Sequence, residues 1–215
     1  MALSTFHSAS ASASASASVP PAYFEAMFAD NDDPWSFRSR WYETRKRAMT
    51  LASLPRARYG NAFEPGCANG ELSAELAARC DRLLISDGTR RAVDIARDRV
   101  SSMSHVEVMQ AWVPDEWPRD AFDLVVISEL GYFLSPDALE KLIRKVRGSL
   151  QPNGTVLACH WRQQIEGCAL DGDEVQRRIG YGLGLPSLTR VADADFLLEV
   201  WCDDAQSVAQ WEQIP

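Results

Sequence analysis

From about residue 58 to residue 160, short apolar runs alternate with segments of helical periodicity. Parallel strands need long crossover connections, usually helices, so this alternation predicts βαβ units and a mainly parallel sheet with helices on both faces. The predicted strands are Ala62–Glu64, Leu83–Asp87, Val106–Met109, Phe122–Ser128 and Thr155–His160, and the predicted helices are Glu71–Cys80, Arg90–Met103 and Pro136–Leu150.

The C-terminal part of the chain has a different pattern. After a predicted helix over 172–182, two apolar runs, Phe196–Cys202 and Ser207–Gln213, follow each other with no helix between them. Two such runs are typical of an antiparallel edge pair. The predicted fold class is therefore α/β: a doubly wound, mainly parallel, seven-stranded Rossmann-like sheet with an antiparallel C-terminal strand pair.

The N-terminal part precedes this sheet. Residues 8–18 repeat Ser and Ala, which offer no large side chain to bury, so residues 1–21 are expected to be a disordered tail. Residues 22–56 have helical spacings, interrupted by an acidic turn over 30–34, and predict a helical extension. With 215 residues in all, we expect residues 22–215 to form a single domain.

Composition narrows the class of partner. The formal charge of −8 and the pI near 4.9 oppose binding to nucleic acid or to an anionic membrane. No apolar run is long enough for a membrane span, and no secretory leader is recognised. Five cysteines without a C-x-x-C pair predict neither a metal site nor a disulfide framework. We expect a cytoplasmic protein with a small-molecule partner; its oligomeric state is not indicated.

The strongest local motif is the E-x-G-x-x-x-G loop of residues 64–70, between a strand and a helix. Glycines allow a close backbone approach to a ligand, and Asp87, at the end of the next strand, could accept hydrogen bonds from ribose hydroxyls. Glu64 would repel a pyrophosphate but attract the amino group of S-adenosylmethionine, which disfavours a nicotinamide-dependent oxidoreductase. The alternative is an ordinary strand-to-helix turn with a solvated Glu64.

This loop, Asp87 and the F-D-L-V-V-I-S-E run of residues 122–129 resemble the motifs of class I S-adenosylmethionine-dependent methyltransferases over residues 58–160. The segment D-P-W-S-F-R-S-R-W-Y-E-T-R-K-R, residues 33–47, resembles the nodulation-type (NodS-like) N-methyltransferases, which methylate the free amine of a deacetylated chitooligosaccharide. The sequence departs from the common loop at Ala68, where a third glycine is usual.

The resemblance implies S-adenosylmethionine as cofactor and S-adenosylhomocysteine as product. An ordinary core aromatic remains an equal alternative for Trp112. The cofactor contacts that the resemblance implies are Glu64, Gly66 and Gly70 for the amino acid part, Asp87 and Gly88 for the ribose, Ala111 and Trp112 for the adenine, and Ser128 and Glu129 beside the sulfonium.

Four residues of the N-terminal extension recur at helical spacing: Trp35, Arg38, Tyr42 and Arg45. If they are helical they share one face, on which aromatic rings could cover the cofactor and arginine could pair with its carboxylate. The resemblance favours this cofactor-binding face. The alternative is an amphipathic helix that packs on the edge of the sheet.

The acceptor is expected at the carboxyl ends of the fourth and fifth strands, where ligands collect in open α/β sheets. An amine must be neutral to attack, so Glu129 or His160 is expected to accept its proton. Buried structural roles are the alternative for His160, and a surface ion pair for Arg162. A non-catalytic cofactor-binding protein and an O-methyltransferase remain open. The residues expected to bind the acceptor, for example an amino sugar, are Tyr132, Trp161, Arg162 and Asp173.

Overall fold

The computed structural model describes residues 17–204 and 206–214. Seven strands form one sheet in the order β3-β2-β1-β4-β5-β7-β6, in which the first five strands are parallel and β7 is antiparallel to both β5 and β6. This confirms the predicted doubly wound sheet with an antiparallel C-terminal pair. The strands are β1 Ala62–Pro65, β2 Leu83–Asp87, β3 Val106–Gln110, β4 Phe122–Ser128, β5 Leu150–Trp161, β6 Ser187–Ala192 and β7 Phe196–Cys202.

Helices cover both faces of the sheet because the central strands are apolar on both sides. In β4, Leu124 and Val126 pack into one buried cluster, and Val125 and Ile127 pack into another on the opposite face. Short 3₁₀ helices lie at 77–79 and 131–133. The helices are α1 Pro21–Ala29, α2 Trp41–Ala52, α3 Glu71–Leu76, α4 Arg90–Arg99, α5 Pro136–Ser149, α6 Gly172–Leu183 and α7 Val208–Trp211.

The predicted strand over Ser207–Gln213 is wrong. Ser207 caps the short helix α7: its hydroxyl accepts a hydrogen bond from the backbone N–H of Gln210, and the Gln210 side chain accepts one from the backbone N–H of Ser207. The antiparallel partner of β7 is instead β6, which pairs with it from Ser187 to Ala192. The pair itself was predicted correctly, but with the wrong second strand.

The N-terminal helical extension is present as α1 and α2. Of the predicted tail, residues 1–16 lie outside the described residues, but the expected boundary at residue 21 is wrong. The N–H of Val19 donates to the carbonyl of Phe133 at 2.8 Å, and the hydroxyl of Ser18 accepts from the N–H of Ser135 at 2.8 Å. Residues 17–20 therefore run along the body of the protein, and Pro21 opens α1.

Helix α2 is fixed by ion pairs on neighbouring residues. Arg47 donates to Glu75 of α3 at 2.7 Å and to the carbonyl of Phe37 at 2.8 Å. Arg45 pairs with Asp193, in the turn between β6 and β7, at 2.6 Å. The helix thus lies across the carboxyl ends of the strands. Within the described ranges, no helix is both long and apolar enough to cross a bilayer.

Candidate functional site

A cavity of about 1300 Å³ lies at the carboxyl ends of the parallel strands. The chain leaves β1 toward β2 on one side, whereas β4 flanks β1 on the other, and this change of direction opens a crevice in doubly wound sheets. The cavity is lined by the segments that follow β1, β2, β3 and β4 and by side chains of α1 and α2. It is lined by most of the residues expected to bind the cofactor, though not by Arg38, Arg45 or Gly70, and by part of the expected acceptor site.

The loop after β1 is shaped by three residues with left-handed backbone: Gly66 (φ 75°), Ala68 (φ 48°) and Gly70 (φ 78°). At Gly70 a Cβ atom would lie 3.2 Å from the Cα of Ala96 on α4, so glycine allows the loop to pack against that helix. Ala68, where the common motif has glycine, adopts the same region of the backbone map and lines the cavity.

Glu64 lies at the floor of this loop, buried, and lines the cavity. Its Oε2 atom has no hydrogen-bond partner among the described residues, and neither has Oδ1 of the buried Asn69. Burial raises the pKa of Glu64 to about 7. Buried polar atoms are rarely left unpaired, so these two acceptor oxygens are typical of a site for a ligand that donates hydrogen bonds.

Asp87 is the last residue of β2 and fixes the loop. One carboxylate oxygen accepts from the N–H of Ala68 at 3.1 Å, and the other accepts from the N–H of Thr89 at 2.9 Å. Burial raises the pKa of Asp87 above its ordinary value, and these N–H groups act in the opposite direction. Each oxygen keeps a lone pair that a ribose hydroxyl could donate to.

The ring of Trp112 lies against Gly88: a Cβ atom on Gly88 would lie 2.2 Å from the indole. Gly88, Ala111 and Trp112 all line the cavity; the resemblance implies ribose at Gly88 and adenine at Ala111 and Trp112. The ring centroid of Phe24, on α1, lies 6.2 Å from that of Trp112 and 5.0 Å from that of Phe133. Sequence reasoning did not assign these two phenylalanines to the site. They give this end of the cavity an aromatic wall.

The predicted single helical face of Trp35, Arg38, Tyr42 and Arg45 is wrong, because α2 begins only at Trp41. Trp35 and Arg38 lie in the irregular connection before it. Trp35 and Tyr42 nevertheless line the cavity, as the predicted cofactor role requires.

Neither of the two predicted arginines lines the cavity. Arg38 pairs with Glu71 at 3.1 Å, and Arg45 pairs with Asp193 at 2.6 Å. Both ion pairs are partly solvated, so both arginines act between elements of the fold. Arg40, the residue before α2, lines the cavity instead.

Ser128 and Glu129 line the cavity at the end of β4, as predicted. Glu129 has a left-handed backbone (φ 55°), which turns its side chain out of the strand direction. Its Oε1 accepts from Lys46 of α2 at 2.9 Å, and its Oε2 accepts from the hydroxyl of Tyr132 and from the N–H of Trp161 at 3.2 Å. Tyr132 and Trp161, two predicted acceptor residues, thus meet at one carboxylate.

Lys46 and Glu43 complete this cluster and were missed from the sequence. Lys46 lies 3.0 Å from Oε2 of Glu43, and both side chains are buried and line the cavity. Although burial lowers the pKa of Lys46, the carboxylates of Glu129 and Glu43 raise it overall above its ordinary value. Lys46 is therefore a permanent cation between two acids. The only sequence signal was the i, i+3 spacing of Glu43 and Lys46, which is common on solvated helix faces.

The structure contradicts a role for His160 as the base that meets the acceptor. His160 is fully buried beneath α6 and does not line the cavity. Its Nε2 accepts from the N–H of Gly131 at 3.0 Å, which leaves Nδ1 to donate to Oε1 of Gln176 at 3.0 Å. Burial lowers the pKa of the imidazole. His160 is thus a neutral group that anchors the turn carrying Tyr132.

Arg162 and Asp173 also lie away from the cavity, contrary to the prediction for acceptor-binding residues. They form a two-pronged ion pair with both N–O distances at 2.9 Å, at the protein surface. The third guanidinium nitrogen of Arg162 donates to the carbonyl of Asp193 at 3.0 Å. The pair fixes the segment after β5 to the start of α6.

A family model described as "Nodulation protein S (NodS)" matches residues 26–188. The Nodulation protein S of Sinorhizobium fredii is 29% identical over 171 residues, which cover 79% of this chain and 74% of that protein. The Nodulation protein S of Rhizobium tropici is 32% identical over 125 residues, 57% of this chain, and the match spans 52% of that relative's own length.

Two solved structures share the fold. A protein from Pseudomonas syringae, described provisionally as a methyltransferase, is 47% identical with a TM-score of 0.69 and covers 76% of this chain and 99% of its own. The N-methyltransferase NodS from Bradyrhizobium japonicum, solved with S-adenosylhomocysteine, is 24% identical with a TM-score of 0.73, and the match covers 84% of this chain and 96% of that one.

Proposed function

The chain belongs to the nodulation protein S family of S-adenosylmethionine-dependent methyltransferases, and on that premise we propose that it transfers the methyl group of S-adenosylmethionine to the amine of a small polar acceptor, such as an amino sugar. The observation that carries the proposal is a buried carboxylate oxygen of Glu64 that has no hydrogen-bond partner within residues 17–204 and 206–214, in a cavity that also holds the carboxylates of Glu43 and Glu129. One cavity thus offers sites for two ligands.

The residues around Glu64 fit the cofactor. Glu64 and Asn69 would bind the charged amino acid part, Asp87 the ribose hydroxyls, and Ala111 and Trp112 the adenine. S-adenosylmethionine, when bound, supplies a methyl group on a cationic sulfur. Both S-adenosylmethionine and a dinucleotide carry a ribose that Asp87 could bind, so Glu64 is the group that favours this ligand: its carboxylate attracts an ammonium group and repels a pyrophosphate.

An amine fits the other end of the cavity better than a neutral hydroxyl. Glu43 and Glu129 share the cation Lys46, and Arg47, which also lines the cavity, pairs with Glu75, so the Glu43–Lys46–Glu129 cluster carries one excess negative charge. Trp161 and Tyr132 add apolar ring faces beside it. The relative from Bradyrhizobium japonicum is titled an N-methyltransferase, which supports the same choice.

The function is tested with two pairs of compounds. S-adenosylhomocysteine, and not NAD, is expected to raise the melting temperature. Labelled methyl groups are then expected on glucosamine and its short β-1,4 oligomers, and not on their N-acetylated counterparts. Binding of S-adenosylhomocysteine without transfer would indicate a cofactor-binding protein, and transfer to the acetylated sugars would indicate O-methylation; either result contradicts the proposal.

Binding of S-adenosylhomocysteine is also expected to release a proton below pH 7. Burial raises the pKa of Glu64 to about 7 in the free protein, so the carboxyl group is largely protonated at pH 6. The ammonium group of the ligand favours the carboxylate and lowers that pKa on binding. Affinity should therefore increase up to about tenfold per pH unit as pH rises toward 7, and then become constant.

Calorimetry at pH 6 in two buffers with different ionisation enthalpies measures this proton release. Glu64→Gln is the matched variant, since an amide keeps the shape of the side chain but cannot titrate. It should bind more weakly and without the release seen in the wild type. If wild-type affinity is the same at pH 5.5 and pH 7.5, the assignment of Glu64 to the ligand's ammonium group is wrong.

A further inference from the structure

We propose that Glu43 of α2 is the carboxylate that receives the proton of the acceptor's ammonium group, with Lys46 as the positioning residue that holds it; this assignment rests on the function proposed above. Glu43, Lys46 and Glu129 all line the same cavity. Because they form one contiguous cluster, the question is which of the two carboxylates is free to act on an acceptor.

Glu129 is largely occupied. Its two oxygens accept from Lys46, from the hydroxyl of Tyr132 and from the N–H of Trp161. A carboxylate has about four acceptor sites, so Glu129 has little capacity left.

Glu43 has a single partner. Its two oxygens lie 3.3 and 3.0 Å from Nζ of Lys46, and the structure gives its carboxylate no other donor among the described residues. Lone pairs on both oxygens are therefore available to a ligand. The residue is only 7% exposed, so an acceptor ammonium group beside it would interact across a poorly solvated gap.

The charge environment favours proton transfer to Glu43. Burial is the main cause that raises the pKa of its carboxyl above the ordinary value; Glu129 acts in the same direction, and Lys46 and Arg47 oppose it. A raised pKa of the carboxyl lies nearer to the pKa of the amine whose proton it takes, which makes the proton transfer less unfavourable. The ionisable groups that face Glu43 are Tyr42, Lys46 and Arg47 of its own helix, Glu129 after β4, and Cys159 of β5.

A neighbouring hydroxyl is also available for a ligand. The hydroxyl of Tyr42 is buried, lines the cavity and has no hydrogen-bond partner among the described residues. Its ring lies 4.9 Å from Nζ of Lys46 and packs at 5.2 Å against Trp161. An acceptor that carries an amine next to a hydroxyl could satisfy both Glu43 and Tyr42, which is the arrangement found on a 2-amino sugar.

The proposed step balances in atoms and charge. The acceptor R–NH₃⁺ gives one proton to the carboxylate of Glu43, which becomes a neutral acid, and the nitrogen regains its lone pair. That lone pair forms the N–CH₃ bond as the S–CH₃ bond breaks, and the electron pair of the broken bond stays on sulfur. The products are R–NH₂CH₃⁺ and neutral S-adenosylhomocysteine, and Glu43 returns its proton to solvent.

The test compares Glu43→Gln with the wild type and with Glu107→Gln, an exposed carboxylate on β3 that does not line the cavity. Rates of glucosamine methylation are measured from pH 6.5 to 9.5. Glu43→Gln is expected to be about 100-fold slower at pH 7. Its deficit should shrink as pH rises, because the fraction of neutral amine in solution increases about tenfold per unit until the pH reaches the amine pKa.

Calorimetry of glucosamine binding to the protein with S-adenosylhomocysteine gives a second readout that needs no turnover. Glu43→Gln should bind the amine at least tenfold more weakly, while its affinity for S-adenosylhomocysteine and that of Glu107→Gln stay within twofold of wild type. The assignment would be overturned if the methylation rate of Glu43→Gln, relative to the wild type, did not change with pH. It would also be overturned if the relative rate of Glu129→Gln, and not that of Glu43→Gln, recovered at high pH. A wild-type protein that methylates no amine would instead contradict the proposed function itself.

Discussion

Glu129→Gln is expected to slow methyl transfer by about 100-fold or more, which is about 2.7 kcal/mol in the barrier, while leaving affinity for S-adenosylhomocysteine near that of the wild type. Glu129 binds Lys46, Tyr132 and the N–H of Trp161 at once, so it sets the positions of all three around the acceptor. An amide has a single acceptor oxygen and no charge to balance Lys46. We therefore expect the variant to position the acceptor poorly. Its rate relative to the wild type should be constant between pH 6.5 and 9.5.

The measurement is a steady-state rate with glucosamine at saturating S-adenosylmethionine, accompanied by thermal unfolding. Removing one charge from a buried ion pair can cost about 3 to 5 kcal/mol of folding free energy, so stability must be measured with the ligand present. Tyr132→Phe, which removes one donor and no charge, provides a milder matched variant. A Glu129→Gln protein that folds, binds ligand and turns over at the wild-type rate would remove Glu129 from the acceptor site.

Asp87→Ala is expected to weaken S-adenosylhomocysteine binding by about 10- to 150-fold, corresponding to about 1.5 to 3 kcal/mol for lost hydrogen bonds to a charged group. Two effects add. The carboxylate no longer accepts from ribose hydroxyls, and the N–H groups of Ala68 and Thr89 lose the acceptor that holds the loop in shape. Glu64→Ala should weaken binding for a different reason, the loss of the partner for the ligand's ammonium group.

Calorimetry at pH 7.5 decides between a direct and an indirect role. Asp87→Asn keeps one oxygen for the backbone N–H groups, so its affinity should lie between those of the alanine variant and the wild type. Asp120→Ala, at an exposed aspartate outside the cavity, serves as the control and should bind normally. Equal affinity in Asp87→Ala and wild type would mean that the ribose does not bind at the end of β2.

The sheet could be predicted because its signals are local and repeated. Strand β4 has four consecutive apolar residues, 124–127, which place apolar side chains on both faces of the sheet. In the loop from Glu64 to Gly70, both glycines adopt the left-handed backbone that glycine favours. Strand β6 was missed because an edge strand is half exposed: its sequence, Ser187–Ala192, contains Thr189 and Arg190 and has no clear apolar alternation. The capping box at Ser207 was readable in the sequence and should have favoured α7.

Candidate residues could be predicted to line the cavity only where they lie at the carboxyl end of a strand or directly after it. Glu64 and Asp87 are among the last two residues of β1 and β2, Glu129 directly follows β4, and all three line the cavity. His160 obeys the rule in sequence, but α6 covers it, and the packing of a later helix is not visible in the spacing of residues. Glu43 and Lys46 come from the N-terminal extension, and their contact with Glu129 depends on how α2 lies across the sheet, which no local pattern specifies.

Helix α2 makes separate ion pairs through three consecutive residues: Arg45 with Asp193, Lys46 with Glu129 and Arg47 with Glu75. Each added residue turns the rest of an α-helix by about 100°, so an insertion or deletion among residues 45–47 would turn at least one of the three side chains away from its partner. At these positions of α2 only substitutions should therefore persist in evolution. Length conservation, more than the identity of any one side chain, becomes the mark that this helix would leave across related genomes.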